Sequence, residues 1–254
     1  MPLDSALRLT HAPIIEAVLD LHCELASNMD KKAFGELFKK TTGTRYPQQR
    51  TIHIHQQNIE FKEGEITSSQ GIPSLKGYQH ISLDGKQIVQ TRFDGFSFNR
   101  LAPYSTLDEY LPEIYQCWSE YCEIAKPIRV RRIGLRYINR FLLPLKNGQV
   151  SLSQYLKNSP KVPAGIDLKL SIGNLTHFNN VFDAETKNQA NIILATQPVN
   201  DLKLPVILDI DTFVESDLQV DNWEVIKLKI ESLRNLKNAL FSFNLKPKCR
   251  RLFQ

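Results

Sequence analysis

The sequence predicts an α+β molecule in which two similar halves, residues 1–127 and 128–254, share one curved antiparallel sheet with their long helices packed on one side. Three observations predict it. Two long period-two segments, Ile14–Glu24 and Val130–Leu143, each open a half with an apolar face and a charged face. Two long segments of helical period, one from Leu107 to Ala125 and one from Trp223 to Phe241, each close a half. Between them the same order recurs, strand, short helix, three or four strands, long helix, although residue identity between the halves is negligible.

Length and composition agree with this plan. At roughly 150 residues per domain, 254 residues make one large or two small domains able to bury a core. With 42% hydrophobic and 23% charged residues the chain is of ordinary globular composition, which excludes a disordered, collagen-like or disulfide-framework protein. The 11 Gly and 13 Pro are too few for a long flexible linker. No run approaches the ~20 apolar residues of a bilayer-spanning helix, and Met1-Pro2-Leu3-Asp4-Ser5 lacks the basic-then-apolar plan of a secretory signal, so a cytoplasmic location is expected. The net charge of +5 is a mild bias, so the placement of the basic residues matters more than their sum.

In the first strand Ile15, Ala17, Leu19, Leu21 and Cys23 share one face and Glu16, Val18, Asp20, His22 and Glu24 the other. Asp30 caps a short helix carrying Phe34, Leu37 and Phe38, which Gly43 ends. Thr51–Glu63 and Gln79–Leu101 read as three or four strands with Asp84-Gly85 as a hairpin turn. Ser105 or Thr106 starts the long helix, with Leu107, Leu111, Ile114, Trp118, Tyr121 and Ala125 on one side, and Pro127 stops it. In the second half Val130–Leu143 is a strand, Ser151–Lys157 a short helix and Leu168–Glu215 a series of strands, before a final helix with Ile226, Ile230, Leu233 and Leu240 on one face.

Superposing Ile14 on Val130 sets Glu16, Asp20 and Glu24 against Arg132, Arg136 and Arg140. If the opening strands pair antiparallel at the centre of the sheet, these residues are expected to form a charge ladder. The same arginines, with Arg129, Arg131 and Arg100, are the residues that would otherwise bind phosphates or an acidic partner. Arg132, Arg136, Arg140 and Arg100 are therefore the candidate binding residues. Gly134, on the arginine face, marks a bend or a close approach of another backbone.

No other constellation outweighs its plainer alternative, and neither catalytic nor metal-binding residues nor a cofactor are assigned. His53 and His55 alternate on one strand face with His80 or Glu60 as third ligand, but HxH recurs by chance. Asp209 and Asp211 share a strand face and could hold Mg²⁺ or divide acid and base roles, yet they fit better as outer residues of a strand whose Val206, Leu208 and Ile210 face the core. No Walker loop, GxSxG, HExxH or kinase signature occurs. Phe93, Phe96 and Phe98 around Gly95 suggest a bulged strand that packs in the core. Cys23, Cys117, Cys122 and Cys249 lack zinc or CxxC spacing and read as buried or half-buried free thiols. Asn174-Leu175-Thr176 matches the glycosylation sequon without consequence in a cytosolic protein, and Lys246-Pro247-Lys248-Cys249-Arg250-Arg251 is a short basic tail.

Three stretches, Ala12-Pro13-Ile14-Ile15-Glu16-Ala17-Val18, Phe96-Ser97-Phe98-Asn99-Arg100-Leu101-Ala102-Pro103-Tyr104 and Arg132-Ile133-Gly134-Leu135-Arg136-Tyr137-Ile138-Asn139-Arg140, resemble the landmarks of a sporadically distributed, uncharacterised prokaryotic protein family. The resemblance covers nearly the whole chain and carries over no site residue. It implies prokaryotic origin and a horizontally moved gene of the kind found among defence and toxin-antitoxin genes. In element order alone the two halves also resemble the TATA-box-binding proteins, which directs attention to the uncovered sheet face without transferring function. The expected function is a non-enzymatic recognition or regulatory subunit that binds a macromolecule, a protein or a further copy of itself, on that face. Nucleic-acid binding by the arginine strand is the alternative and metal-dependent hydrolysis by Asp209 and Asp211 comes third.

Overall fold

The computed structural model describes residues 11–25, 31–54, 57–62, 65–70, 73–159 and 174–253, and side chains within these ranges except at 31–33 and 57–70. Its secondary structure is α+β. One large, open, wholly antiparallel sheet of nine strands carries the fold, with four helices among the described residues. The first half supplies β1 (Ile14–Glu24), α1 (Lys31–Thr42), β2 (Gln48–Ile54), β3 (Gln57–Lys62), β4 (Glu65–Gln70), β5 (Ser74–Ile81), β6 (Gln87–Arg92), β7 (Gly95–Leu101) and α2 (Leu107–Ala125). The second supplies β8 (Arg129–Pro144), β9 (Thr176–Phe182), β10 (Gln189–Thr196), β11 (Lys203–Leu218), α3 (Trp223–Asn244) and α4 (Pro247–Arg250). Strands run in the order β2-β5-β6-β7-β1-β8-β11-β10-β9, while β3 and β4 form a separate hairpin.

Several boundaries differ from the sequence expectation. The first half carries β2 to β7 after its short helix, more than three or four strands, because the polar stretch around residues 65–70 pairs within its own hairpin and β5 begins at Ser74, ahead of Gln79. The expected helix at Ser151–Lys157 is one 3-10 turn, Leu152–Gln154, and α4 was not anticipated. Asp30 and His55 lie outside the described residues, as does the start of the segment expected to form strands from Leu168. Phe93 and Asp94 form the turn between β6 and β7, so Gly95 opens a strand and does not bulge one. A Cβ there would stand 2.2 Å from the Leu21 carbonyl oxygen, and the residue has φ 152°, a conformation only glycine takes at low cost.

The apolar rows of the two opening strands, Ala17, Leu19 and Leu21 of β1 and Ile133, Leu135 and Tyr137 of β8, lie side by side in one core with Ile114, Trp118 and Tyr121 of α2 and Ile226, Ile230 and Leu233 of α3. Both long helices therefore cover the same face. Phe96 and Phe98 of β7 join this core, with Phe96 against Trp118 at 5.8 Å between ring centroids. A second cluster under the end of α3 joins Phe141, Leu143, Leu194, Val206, Leu208 and Leu245. The described residues on the other sheet face have no helix over them. That face holds the polar members of each alternating strand.

Candidate functional site

Registers across the middle of the sheet assemble the uncovered face row by row. One row runs Gln90, Ser97, Asp20, Gly134, Phe213 and the next Asn99, Val18, Arg136, Asp211, Asn191. A third runs Leu101, Glu16, Ile138, Asp209, Ile193, Phe178. Alternation put each residue on this face; the pairing of β1 with β8 and of β8 with β11 made them neighbours.

Arg136 and Asp209 form the firmest contact. The guanidinium Nε and Nη2 donate to the two carboxylate oxygens at 2.9 and 2.5 Å, a bidentate pair in which Asp209 is 9% and Arg136 46% exposed. The hydrogen bonds it donates to Asp209 hold the Arg136 guanidinium above its ordinary range. Arg132 reaches Asp211 at 3.2 Å and Asp20 at 3.6 Å and lies 4.3 Å over the Phe213 ring. Gly134 makes this possible, since a Cβ there would be 2.8 Å from Arg132 Nη1. The close approach at Gly134 is thus made by a side chain of its own strand.

Asp20 also accepts from Arg92 at 2.6 Å and from His22 at 2.9 Å. Burial alone would raise its carboxyl, but the His22 bond and the Arg92 charge outweigh burial and leave it below the usual carboxylate range. At Asp211 the balance is reversed. Burial raises that carboxyl, the neighbouring Asp209 and Asp20 add to the rise, and Arg132 and Arg136 do not cancel it. Glu16 accepts from the Asn99 amide at 2.7 Å. Among these groups a concavity of about 310 Å³ opens above Val18 and Gly134, walled by Arg92, Arg132, Arg136, Glu16, Asp20 and Asp211.

The charge ladder therefore exists with different partners. Arg136 pairs with Asp209 and not Asp20, Arg132 with Asp211 and Asp20 and not Glu16, and Glu24 with Arg131. Antiparallel neighbours run in opposite directions, so residues at equal offsets from the starts of β1 and β8 cannot all face one another across the seam. Arg140 stands opposite Ile207, exposed and without an ion pair among the described residues. Arg100 is not part of the group. Next to Asn99 on β7 it points to the opposite face, where its guanidinium lies 5.2 Å over Tyr110 and 3.7 Å from Asp84.

The histidines do not converge. His53 is exposed on β2, whereas His80 is fully buried, 3.1 Å from the Thr91 hydroxyl with its ring against Phe38. The Glu60 side chain lies outside the described residues. No group of three or more His, Cys, Asp or Glu among the described residues is arranged to hold a metal ion. Asp209 and Asp211 sit on the outer face, with Val206, Leu208 and Ile210 at 0–1% exposure beneath them. Sequence reasoning missed Arg92, Ser97 and Asn99; their place in the alternation of β6 and β7 was the available signal. No protein-family model matches the chain, and no curated protein matches it.

Proposed function

We propose that the chain is a non-enzymatic recognition or regulatory subunit that docks a protein partner on the uncovered face of its sheet. One observation carries this reading: beside the charge-compensated strip, the same face presents Phe178 at 57% and Leu142 at 45% exposure, with half-buried Ile138, Ile193 and Ile207 between them. An apolar area rimmed by polar and charged residues is a mark of a protein interaction site. A polyanion needs several free guanidiniums in a row; Arg132 and Arg136 are tied to aspartates, and a lone free Arg140 at the end of the row makes a weak phosphate site, which disfavours nucleic acid.

The reading includes an internal duplication. On either side of the β1-β8 seam the strands run β1-β7-β6-β5 and β8-β11-β10-β9, which supports a pseudo-twofold relation between residues 1–127 and 128–254. A cytoplasmic setting, in a defence or toxin-antitoxin system, belongs to the same proposal. Among the described residues no helix is long and apolar enough to cross a membrane.

The test is affinity purification from the source cell with wild type, Phe178→Asp and, as control, Leu228→Asp on the outer side of α3, where Leu228 is 68% exposed. One protein should be retained by wild type and Leu228→Asp and lost with Phe178→Asp. Equal retention by all three, or loss of bound DNA or RNA in place of a protein, would overturn the reading.

A further inference from the structure

We propose that the groove between β9 and the C-terminal end of α3 is a second binding site, on the helix side of the sheet, for a small organic acid with an apolar body. The inference is independent of the docking reading, which concerns the opposite face.

The elements leave the space and the sequence lines it. Alternation turns His177, Asn179 and Val181 of β9 and Ile192 of β10 toward the helices while Phe178 and Asn180 face the other way. The last turn of α3 brings Leu240 and Phe243 to the same space, and the chain beyond the 3-10 turn borders it with Lys157, Asn158 and Ser159. That border is tied to the helix end by the Lys157 N–H, which donates to the Asn244 carbonyl at 2.9 Å. The cavity so enclosed is about 600 Å³ and opens to solvent, a size within the range of about 300–1,000 Å³ found for small-molecule sites.

Its polar groups are of one kind. Among the described residues that line it, Lys157 carries the one full charge and no carboxylate is present. The Lys157 Nζ stands 4.7 Å over the Phe243 ring and pairs with no carboxylate among the described residues. His177 Nδ1 lies 3.3 Å from the Asn179 amide nitrogen; accepting that bond places the ring proton on Nε2, as a further donor. The α3 carbonyls at the border are already used, Leu240 by the Asn244 side-chain amide at 2.8 Å and Asn244 by the Lys157 N–H, so the open capacity is for an acceptor with negative charge. One lysine matches one negative charge, and Val181, Ile192, Leu240 and Phe243 offer apolar contact beside it. The complement is a carboxylate carried on a hydrocarbon or aromatic body.

The experiment is a titration of the full chain followed by backbone amide chemical shifts, with 4-phenylbutyrate as the probe and with 4-phenylbutan-1-ol and 4-phenylbutylamine, which keep its body and change its head. The acid should give saturable shifts at His177, Asn179, Ile192 and Phe243, the alcohol should bind roughly fivefold more weakly, and the amine should not bind. Lys157→Gln should weaken the acid roughly fivefold and leave the alcohol unchanged. Phe243→Ala, at a side chain 56% exposed and so not needed for folding, should weaken both, whereas Lys203→Gln, on the uncovered face, should change neither. Equal binding of acid and alcohol, binding of the amine as tight as that of the acid, or an acid affinity indifferent to Lys157→Gln would overturn the proposal. So would the absence of saturable binding, the outcome if residues 160–173 of the chain itself occupy the groove.

Discussion

Truncating Arg136 removes both donors from an aspartate that is 9% exposed, leaving a largely desolvated carboxylate without its counter-charge. Because Arg136 itself is 46% exposed, water offsets part of the loss, and Arg136→Ala is expected to cost about 2 kcal/mol, below the range for a fully buried pair. Urea unfolding of Arg136→Ala, Asp209→Asn and the double variant should show a coupling of about 1 kcal/mol; an additive cycle would mean that the two side chains act independently. His80 sets a second expectation. Burial, with the Lys39 charge adding to it, pulls its imidazole down to about 4 from an ordinary 6.5. The folded state keeps it neutral where the unfolded chain takes up a proton, so its contribution is complete above pH 6.5, declines as pH falls from there to about 4, and levels off below. The change is about 3 kcal/mol. The difference in unfolding free energy between wild type and His80→Leu should shrink over that interval, and a difference independent of pH would show that His80 is already charged when folded.

Within single elements the local rules explain most of what forms. Thr106 caps α2 by accepting from the Glu109 amide at 3.4 Å, and the Glu109 carboxylate accepts from the Ser105 hydroxyl at 2.6 Å. Thr106→Ala should cost about 1 kcal/mol, read as a lower unfolding midpoint with no change in fold. The β6-β7 turn is less forgiving. Gly95→Ala drives a Cβ into the Leu21 carbonyl of β1 and demands a positive φ of 152° from a residue with a side chain, so a loss of about 3 kcal/mol or more is expected. Thermal unfolding within about 1 °C of wild type would show that β7 shifts away from β1 at little cost. The cap was legible in the sequence, since its residue types are local. The turn was not, because its glycine answers to a backbone on a strand more than 70 residues away.

Across the whole molecule the seam between β1 and β8 joins the halves. Leu19 and Leu21 of β1 are 0–2% exposed in a core that also takes Ile133 and Leu135 of β8 and Ile226 and Ile230 of α3. Residues 1–127 expressed alone would expose that row and a bare strand edge, so the fragment should give collapsed amide spectra and recover dispersion on mixing with residues 128–254. Cooperative unfolding of the isolated fragment would show that each half closes its own core.

The order of apolar and polar residues by itself determined the two opening strands, the two long helices, and which face of each opening strand is buried, because side-chain direction follows a fixed local period. Ile133, Leu135 and Tyr137 were thereby set against Arg132, Gly134 and Arg136 before any neighbour was known. Only the tertiary structure decided who meets whom. The β1-β8 pairing carries register irregularities at Ile14/Glu16 and His22/Cys23, and β11 rather than β1 presents Asp209 to Arg136. A residue's face is a property of its own strand, whereas its partner depends on strand order, direction and every bulge between. That is why the arginine row could be read from the sequence and the carboxylates that bind it could not.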